Sequence, residues 1–311
     1  MNVARPFGSI VAAALVTAGL AAHQPPLAGQ VFRGGTDTVF LSVTVVDAHD
    51  RHVAGLRRDD FQVLEDFVPQ TIETFASDPQ PIALSLLIDT STSMEQTIGL
   101  AQQAAIGFAK RLGPSDLAQI IDFDNSIVIL QEFTREAAQL ETAIRKTRAG
   151  GSTALYQAIY TALDEQKRVR ARTAEELRRQ AIVVLSDGED TSSIIEYEQV
   201  LESAKRSEVV VYAIGLRAKN SLPKRGFNIA EFVLRTLSQE TGGRVFFIED
   251  ARQLASIYDQ IADELANQYT IGYTSKNARR DGAWRRINVQ VTPPGATART
   301  KSGYYGPTAR R

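Results

Sequence analysis

From residue 81 onward, short apolar runs alternate with longer segments of helical periodicity. Ala83 to Ile88 and Ala181 to Leu185 are nearly continuous apolar runs, which are typical of strands that are buried on both faces of a parallel sheet. In the segments between such runs, apolar residues recur at spacings of three and four, which indicates amphipathic helices. The alternation predicts an α/β fold, with a doubly wound, mainly parallel Rossmann-like sheet that has helices on both faces.

The same patterns place the individual elements. Strands are predicted at residues 83–88, 117–123, 127–130, 181–185, 209–214 and 244–248. Helices are predicted at 98–112, 135–147, 154–180 and 228–240, and a closing helix carries the apolar stripe Leu254, Ile257, Tyr258, Ile261 and Leu265. The sequence Asp124-Asn125-Ser126 predicts a tight turn. The Arg-rich stretch 167–179 carries both signs of charge, so we expect an exposed helix face there.

Both flanks of the α/β segment have the composition of β-strands. Strands are predicted at residues 39–46, 61–65 and 71–75 in one flank, and at 269–273 and 287–291 in the other. Because residues 38–76 are too few to bury a core alone, we expect them to pack with the C-terminal β segment, 268–306, as one composite β unit. The α/β domain is then 81–267, and residues 307–311 are a tail.

The N-terminus resembles a targeting segment. Residues 1–22 combine Arg5, an apolar stretch and small residues before His23, which is the layout of a secretory signal peptide. The apolar stretch is shorter than the ~20 residues of a spanning helix. We therefore expect an exported protein, periplasmic or secreted, in which residues 23–37 are a linker. An uncleaved membrane anchor and a buried helix remain alternatives, and we expect membrane contact only if the segment is uncleaved.

The composition excludes several chemistries. The chain has no cysteine, so disulfides, thiolate nucleophiles and zinc–cysteine sites are ruled out. Its three histidines, His23, His49 and His52, all precede the α/β segment, so a Ser–His–Asp triad within that domain is impossible. The net charge is -1, which provides no electrostatic reason to expect a nucleic-acid partner.

Three short motifs lie at predicted strand ends or before a predicted helix. They are Asp-Thr-Ser-Thr-Ser at 89–93, Gly-Gly-Ser-Thr at 150–153 and Ser-Asp-Gly at 186–188. Ligands of open α/β sheets collect at the carboxyl ends of the strands, so we expect these segments to converge. Alternate side chains of an extended segment face the same way, so Asp89, Ser91 and Ser93 can point at one ion, and Thr153 and Asp187 would complete the site.

These five side chains offer two carboxylates and three hydroxyls. Such hard oxygen donors suit Mg²⁺, Mn²⁺ or Ca²⁺ and do not suit zinc or copper. Since the protein contributes at most two negative charges, the ion can accept one more carboxylate from outside the chain. Each motif alone has a plainer interpretation, because Ser93 could cap the next helix and Ser-Asp-Gly is often a turn. Their occurrence together favours a metal site.

Four other acidic residues lie near these motifs in the sequence. Glu189 and Asp190 closely follow the third motif, and a solvated loop is the favoured interpretation for them. Asp122 and Asp124 flank a predicted strand–turn junction, where turn chemistry is favoured.

The five residues resemble, position by position, the metal-ion-dependent adhesion site of von Willebrand factor type A domains. The resemblance covers about residues 81–265. It implies a mainly parallel sheet with one antiparallel edge strand, a bound Mg²⁺ and a ligand that completes the coordination with an acidic side chain. The flanks resemble secreted bacterial proteins, common in Acidobacteria, that wrap such a domain. Those proteins usually have glycine where Phe67 stands, so we expect a different local turn there.

The predicted function is metal-dependent protein binding or adhesion, without catalysis. One alternative is a phosphatase-like, metal-dependent hydrolase that uses Asp89 as nucleophile. Aspartyl phosphatases need a second Asp two residues on, and this chain has Ser91 there. The other alternative is a structural domain without metal-dependent binding, and the complete set of five donor residues argues against it.

Overall fold

A computed structural model of the chain describes Met1 and residues 38–169, 178–187, 189–217 and 229–309. Beyond Met1, the predicted signal peptide and linker lie outside the described residues, as do Arg310 and Arg311 of the predicted tail. No described helix has both the length and the apolar character needed to cross a membrane. The described residues from 38 onward belong to one compact unit.

The central sheet has six strands in the order β10-β9-β8-β5-β6-β7. Only β7 at the edge runs antiparallel to its neighbour. Every residue of β5 is buried, as its apolar sequence predicts. The strands are β5 (Ile82–Asp89), β6 (Leu117–Phe123), β7 (Ile127–Thr134), β8 (Arg179–Ser186), β9 (Val210–Leu216) and β10 (Val245–Ile248). This arrangement confirms the predicted fold class.

Helices cover both faces of this sheet. One apolar core includes residues of α1, α2 and α6, and a second includes residues of α3, α4 and α5. All five residues of the predicted stripe on α6 are buried, and the ring of Tyr258 stacks on Phe108 of α1 with centroids 4.9 Å apart. The helices are α1 (Ile98–Ala109), α2 (Ala137–Ile144), α3 (Leu155–Arg168), α4 (Tyr197–Arg206), α5 (Ile229–Thr241) and α6 (Leu254–Ala266).

The predicted helix over 154–180 is wrong at its C-terminal end. Arg179 and Gln180 belong to β8, while residues 170–177 lie outside the described part. The guanidinium of Arg179 is buried and donates to the carbonyl oxygens of Leu265, at 3.0 Å, and Gln268, at 2.5 Å. Burial lowers the pKa of Arg179 to about 10. The sequence predicted that Arg179 would lie on an exposed helix face. It lies in the interior instead, where carbonyl groups at the end of α6 accept hydrogen bonds from its guanidinium.

The two flanks form antiparallel sheets in which their strands pair with each other. One sheet has the order β13-β1-β11-β4 and the other β14-β12-β2-β3. A shared apolar core joins them, with the ring of Tyr269 5.1 Å from Phe61 and 5.8 Å from Phe75. The strands are β1 (Thr38–Val46), β2 (Phe61–Glu65), β3 (Val68–Pro69), β4 (Ile72–Ala76), β11 (Tyr269–Thr274), β12 (Trp284–Val291), β13 (Thr297–Arg299) and β14 (Gly303–Tyr305). We call these eight strands the β unit.

The short strand β3 follows a two-residue turn that the sequence patterns did not predict. Glu65 pairs with Val68, so Asp66 and Phe67 form the turn, with φ of 46° and 68°. Both residues lie in the left-handed region, which suits a two-residue hairpin turn but favours glycine. For a side chain as large as phenylalanine, this conformation costs on the order of 1–2 kcal/mol.

A buried ion pair connects several strands of the β unit. Glu65 and Arg285 are each about 2% exposed, and the Glu65 Oε1 and Arg285 Nη1 atoms lie 3.7 Å apart. Three hydroxyls donate to the Glu65 carboxylate, from Tyr273 at 2.9 Å, Tyr304 at 2.8 Å and Ser275 at 2.6 Å. The carboxylate therefore has both hydrogen-bond donors and a counter-charge within the protein.

Candidate metal centre

The candidate site lies where three segments meet at one end of the central sheet. The first segment, 89–93, begins at the last residue of β5. The third segment begins at Ser186, the last residue of the neighbouring strand β8, and continues with Asp187. The segment 150–153 precedes α3. Because β5 and β8 are parallel, their carboxyl ends lie at the same edge of the sheet. The sequence prediction that these segments converge is consistent with this placement.

Four of the five predicted ligand residues form a continuous hydrogen-bonded chain. Asp89 Oδ1 accepts from the backbone NH of Ser91 at 2.8 Å. The Ser91 and Ser93 hydroxyl oxygens are 3.0 Å apart, and Ser93 Oγ donates to Asp187 Oδ1 at 2.7 Å. Asp89 is fully buried, Asp187 is half-buried and Ser93 is exposed. The oxygen donors therefore extend from the interior to the surface, where a second molecule can reach them.

Ser93 does not act as a helix cap. It lies within the 3-10 helix Thr92–Gln96, for which Ser91 is the N-cap residue, and α1 begins only at Ile98. Its hydroxyl reaches across to the segment after β8 instead. The plainer interpretation of this serine therefore fails in the structure.

Backbone hydrogen bonds hold the segment 150–153 against the first segment. The NH of Gly150 donates to the Thr90 carbonyl at 2.6 Å, and Thr92 donates to the Gly151 carbonyl from its NH at 3.1 Å and its hydroxyl at 2.9 Å. Gly151 has φ +74°, and a Cβ there would lie 2.5 Å from Asn125 Oδ1. The positive φ favours glycine, which adopts this conformation without the strain that a side chain adds.

Thr153 reaches the same region but is fixed through its backbone. Its NH donates to the Thr191 hydroxyl at 3.0 Å, and its carbonyl accepts from the Thr191 NH at 2.8 Å. The residue is buried, with 5% exposed. Among the described residues, no hydrogen bond joins the Thr153 hydroxyl to the other four predicted ligands. The structure therefore places the loop that contains Thr153 near the site, but the Thr153 side chain is not hydrogen-bonded to the other predicted ligands.

The site contains two acidic side chains, Asp89 and Asp187, and no basic side chain of the described residues pairs with them. Burial raises the pKa of Asp89 to about 6, opposed by hydrogen bonds from Ser186 and Ser91, and the charge of Asp187 raises it further. Burial also raises the pKa of Asp187. No ion pair with Lys, Arg or His of the described residues involves either carboxylate. A bound cation would stabilise the charged form of both groups.

The donor set fits a hard divalent cation. Asp89 accepts one hydrogen bond at each oxygen, and each carboxylate oxygen has a second lone pair for an ion or a bound water. No cluster of three or more His, Cys, Asp or Glu suited to a metal occurs in the described part of the chain. The candidate site is therefore one of mixed hydroxyl and carboxylate oxygens, as Mg²⁺, Mn²⁺ and Ca²⁺ accept.

The sequence patterns missed the supporting roles of two residues. Ser186 Oγ donates to Asp89 Oδ2 at 2.5 Å, and Thr90 Oγ1 donates to Asp122 Oδ1 at 2.5 Å. Turn chemistry is thus wrong for Asp122, which holds the first segment. For Asp124 it is confirmed, since Asp124 Oδ1 accepts from the Ser126 NH at 2.7 Å. Ser186 belongs to the third motif and Asp122 was interpreted as a turn residue, but local patterns carry no signal for these two contacts, because both depend on which strands are neighbours.

The solvated-loop interpretation holds for Glu189 and is wrong for Asp190. Glu189 is exposed. The Asp190 carboxylate accepts from the Tyr156 NH at 3.0 Å, in the first turn of α3, and from the Ser193 hydroxyl at 2.6 Å. Asp190 therefore fixes the segment after β8 to the start of α3, close to Thr153.

Comparison with known proteins agrees with this architecture. The model of the von Willebrand factor type A domain family matches residues 83–260, which is more than half of the chain. This range contains all five predicted ligand residues. It excludes all eight strands of the β unit.

Two curated relatives match a similar share of the chain. An uncharacterized protein of Synechocystis sp. is 26% identical over 194 residues, which cover 60% of this chain and 42% of the relative. Inter-alpha-trypsin inhibitor heavy chain H1 of Sus scrofa is 23% identical over 201 residues, which cover 60% of this chain and 21% of that protein. The match therefore spans less than half of each relative.

One solved structure resembles nearly the whole chain. It is a von Willebrand factor type A protein from Catenulispora acidiphila, with a TM-score of 0.53 and 13% identity. The match covers 89% of this chain and 76% of that one. At this identity, the likeness concerns the fold alone.

Proposed function

We propose that this chain, which belongs to the von Willebrand factor type A domain family, binds a partner protein through a divalent metal ion. Asp89, Ser91, Ser93, Thr153 and Asp187 would hold the ion, and an Asp or Glu of the partner would complete its coordination. Domains of this family are typically adhesion or protein-interaction modules and are generally not enzymes. The finer statement, that binding here depends on a metal, rests on the geometry of the site.

The observation that carries this proposal is the hydrogen-bonded chain from Asp89 through Ser91 and Ser93 to Asp187. It joins two segments of the sheet edge and ends at the surface. When bound, a divalent cation supplies positive charge that attracts a carboxylate. The hydroxyls of Ser91 and Ser93 add no negative charge, so the net attraction for an acidic partner is preserved. Mg²⁺ is the expected ion, with Mn²⁺ or Ca²⁺ as alternatives, because it is bound by few carboxylates together with water.

The phosphatase-like alternative has less support from the geometry. The Asp89 carboxylate is fully buried, and both of its oxygens accept hydrogen bonds. A nucleophile needs an oxygen that can approach the substrate within about 3–3.5 Å. The described histidines lie in the flank, where His52 stacks on Tyr269 of the β unit with centroids 6.0 Å apart. No imidazole of the α/β domain can assist Asp89, since all three histidines precede residue 53.

Calorimetric titration with Mg²⁺ tests the metal site directly. We expect one ion per wild-type chain and loss of binding in Asp187→Asn. Glu189→Gln removes an exposed carboxylate two residues away and is the matched control, which should keep wild-type binding. Equal Mg²⁺ binding by wild type and Asp187→Asn would contradict the proposed ligand set.

Partner capture tests the binding role. Proteins retained by the immobilised chain in Mg²⁺ and released by chelator are identified, and their acidic residues are then neutralised one at a time. We expect one such change to reduce binding as strongly as chelator does. A partner that stays bound in chelator would show that recognition uses another surface.

We also propose that the protein is exported. The support is the charged, apolar and small-residue pattern of residues 1–22. Mass spectrometry of the native protein should find a mature N-terminus near residue 23. An intact Met1 on cytoplasmic protein would refute export by a cleaved signal.

A further inference from the structure

The turn between β2 and β3 exposes two apolar side chains side by side. Phe67 is 77% exposed and Val68 is 50% exposed. Phe67 also has a left-handed backbone, with φ 68°. Solvent exposure and backbone conformation are both unfavourable for this residue, so folding stability does not account for a phenylalanine here. Strained positions of this kind cluster at functional surfaces. We call Phe67 and Val68 the tip.

Basic side chains lie next to the tip. The Lys276 ammonium donates to the Pro69 carbonyl at 2.7 Å. Lys276 and Arg279 are exposed and, together with Val68, line a cleft of about 280 Å³. The tip therefore borders a basic surface on this side.

A third basic residue lies across the hairpin turn. The Asp66 NH donates to the Arg286 carbonyl at 2.9 Å, and the Arg286 NH donates to Asp66 Oδ1 at 2.9 Å. The Arg286 side chain is exposed. Of the two carboxylates that line the cleft, the charge of Glu65 is offset by buried Arg285, which leaves Asp66 against these three bases. The surroundings of the tip are thus positively charged, although the whole chain has a net charge of -1.

We propose that the tip inserts into the surface of an anionic phospholipid bilayer, with Lys276, Arg279 and Arg286 against the lipid phosphates. Aromatic side chains favour the interface between lipid and water, and basic residues are attracted to an anionic membrane surface. A small apolar tip within a basic surface matches both properties. This binding is independent of the metal site and of residues 1–22.

The absence of cysteine allows the tip to be tested within the full chain. Val68→Cys gives a single site for an environment-sensitive fluorophore and keeps Phe67. Asp164→Cys, on the exposed side of α3, is the matched control. The labelled proteins are mixed with phosphatidylcholine vesicles that contain or lack phosphatidylglycerol. We expect a blue shift at position 68 only, with the anionic vesicles only, that weakens as salt is added.

Substitutions then separate the apolar from the basic contribution. Phe67→Gly in the labelled chain should reduce the vesicle partition coefficient about tenfold or more, since a buried phenylalanine side chain is lost. Lys276→Gln should reduce it about fivefold, by the loss of one charge near the surface. Phe67→Gly suits the left-handed turn, so its thermal unfolding should show an intact fold.

Two outcomes would overturn the proposal. One is no blue shift at position 68 with anionic vesicles, including the case in which the chain binds vesicles through residues 1–22 alone. The other is an unchanged partition coefficient in Phe67→Gly. Either result would show that the tip does not insert into a bilayer.

Discussion

Glu65 of the β unit and Asp89 of the α/β domain are both buried carboxylates at the end of a strand. Glu65 accepts from three hydroxyls and is paired with buried Arg285. Asp89 accepts from Ser91 and Ser186, and its charged neighbour is another carboxylate, Asp187.

The difference shows how two buried charges in one chain serve different ends. In the β unit, the counter-charge comes from the same chain, and the result is a permanent connection between strands. In the α/β domain, hydroxyls provide hydrogen bonds but no positive charge, and in the proposed function a cation from solution would take that role. Burial of a carboxylate is therefore structural in one region and suited to binding in the other.

The largest expected effect tests the internal counter-charge. Glu65→Gln leaves the buried Arg285 guanidinium without its partner, and breaking such a pair costs about 3–5 kcal/mol. We expect this loss in the unfolding free energy, measured by urea denaturation. Glu73→Gln is the control, because Glu73 is an exposed carboxylate of β4 that accepts from the Thr274 hydroxyl at 2.9 Å. Equal losses of unfolding free energy in Glu65→Gln and Glu73→Gln would show that the buried ion pair does not stabilise the β unit more than an exposed carboxylate does.

Next in size is the effect of the external counter-charge. At Mg²⁺ concentrations about 100 times the dissociation constant, binding should stabilise the folded chain by about 2.7 kcal/mol. Urea denaturation with Mg²⁺ and with chelator measures this gain. It should be absent in Asp187→Asn and present in Glu189→Gln. If the unfolding free energy of the wild-type chain is the same in chelator and in Mg²⁺, no cation from solution acts as a counter-charge for Asp89, and the proposed difference from Glu65 is wrong.

A third prediction concerns the donors around Asp89. Ser186→Ala removes the hydroxyl that donates to Asp89 Oδ2 at 2.5 Å. In chelator, we expect a loss of about 1.5–2 kcal/mol, the usual contribution of a hydrogen bond to a charged group. Ser126→Ala, which removes a donor to the turn residue Asp124, should cost less than about 0.5 kcal/mol. If both changes cost the same, burial does not strengthen the bond to Asp89.

The smallest effect is expected at Asp190. Asp190→Ala removes the acceptor for the Tyr156 NH at the start of α3, and loss of such a cap costs about 1 kcal/mol. Since Asp190 also positions the segment beside Thr153, calorimetry should show weaker Mg²⁺ binding as well. Glu189→Ala, at the adjacent exposed residue, should change neither quantity. Unchanged Mg²⁺ affinity in Asp190→Ala would limit its role to the helix.

Hydrophobic periodicity and composition were sufficient to predict the strands and helices that are buried through their apolar side chains. The apolar run of β5 and the stripe of α6 correspond directly to their burial. The patterns failed where a residue is satisfied by distant parts of the chain. Arg179 is buried because carbonyls of residues 265 and 268 accept from it, and a charge-based pattern cannot show this.

The same distinction applies to the candidate site, where sequence motifs predicted some residues and contacts between distant segments determine the rest. The motif residues stand at strand ends and were visible in the sequence. The supporting hydrogen bonds that Ser186 and Asp122 make to the first segment were not, because each depends on the order of strands in the sheet. The turn at Phe67 was expected to differ from glycine-containing turns, but its left-handed backbone became apparent only in the structure.

The pairing of the two flanks also dictates an order of folding. Thr44 of β1 and Gln268, the residue before β11, share a hydrogen bond and are 224 residues apart. At about 5–20 residues per second, synthesis of the intervening chain takes roughly 10–45 s. During that time β1, β2 and β4 have no partners from the C-terminal flank, and their exposed edges are open to association with other chains. We therefore expect the α/β domain to fold first, and the β unit to close only after the last strands have been made.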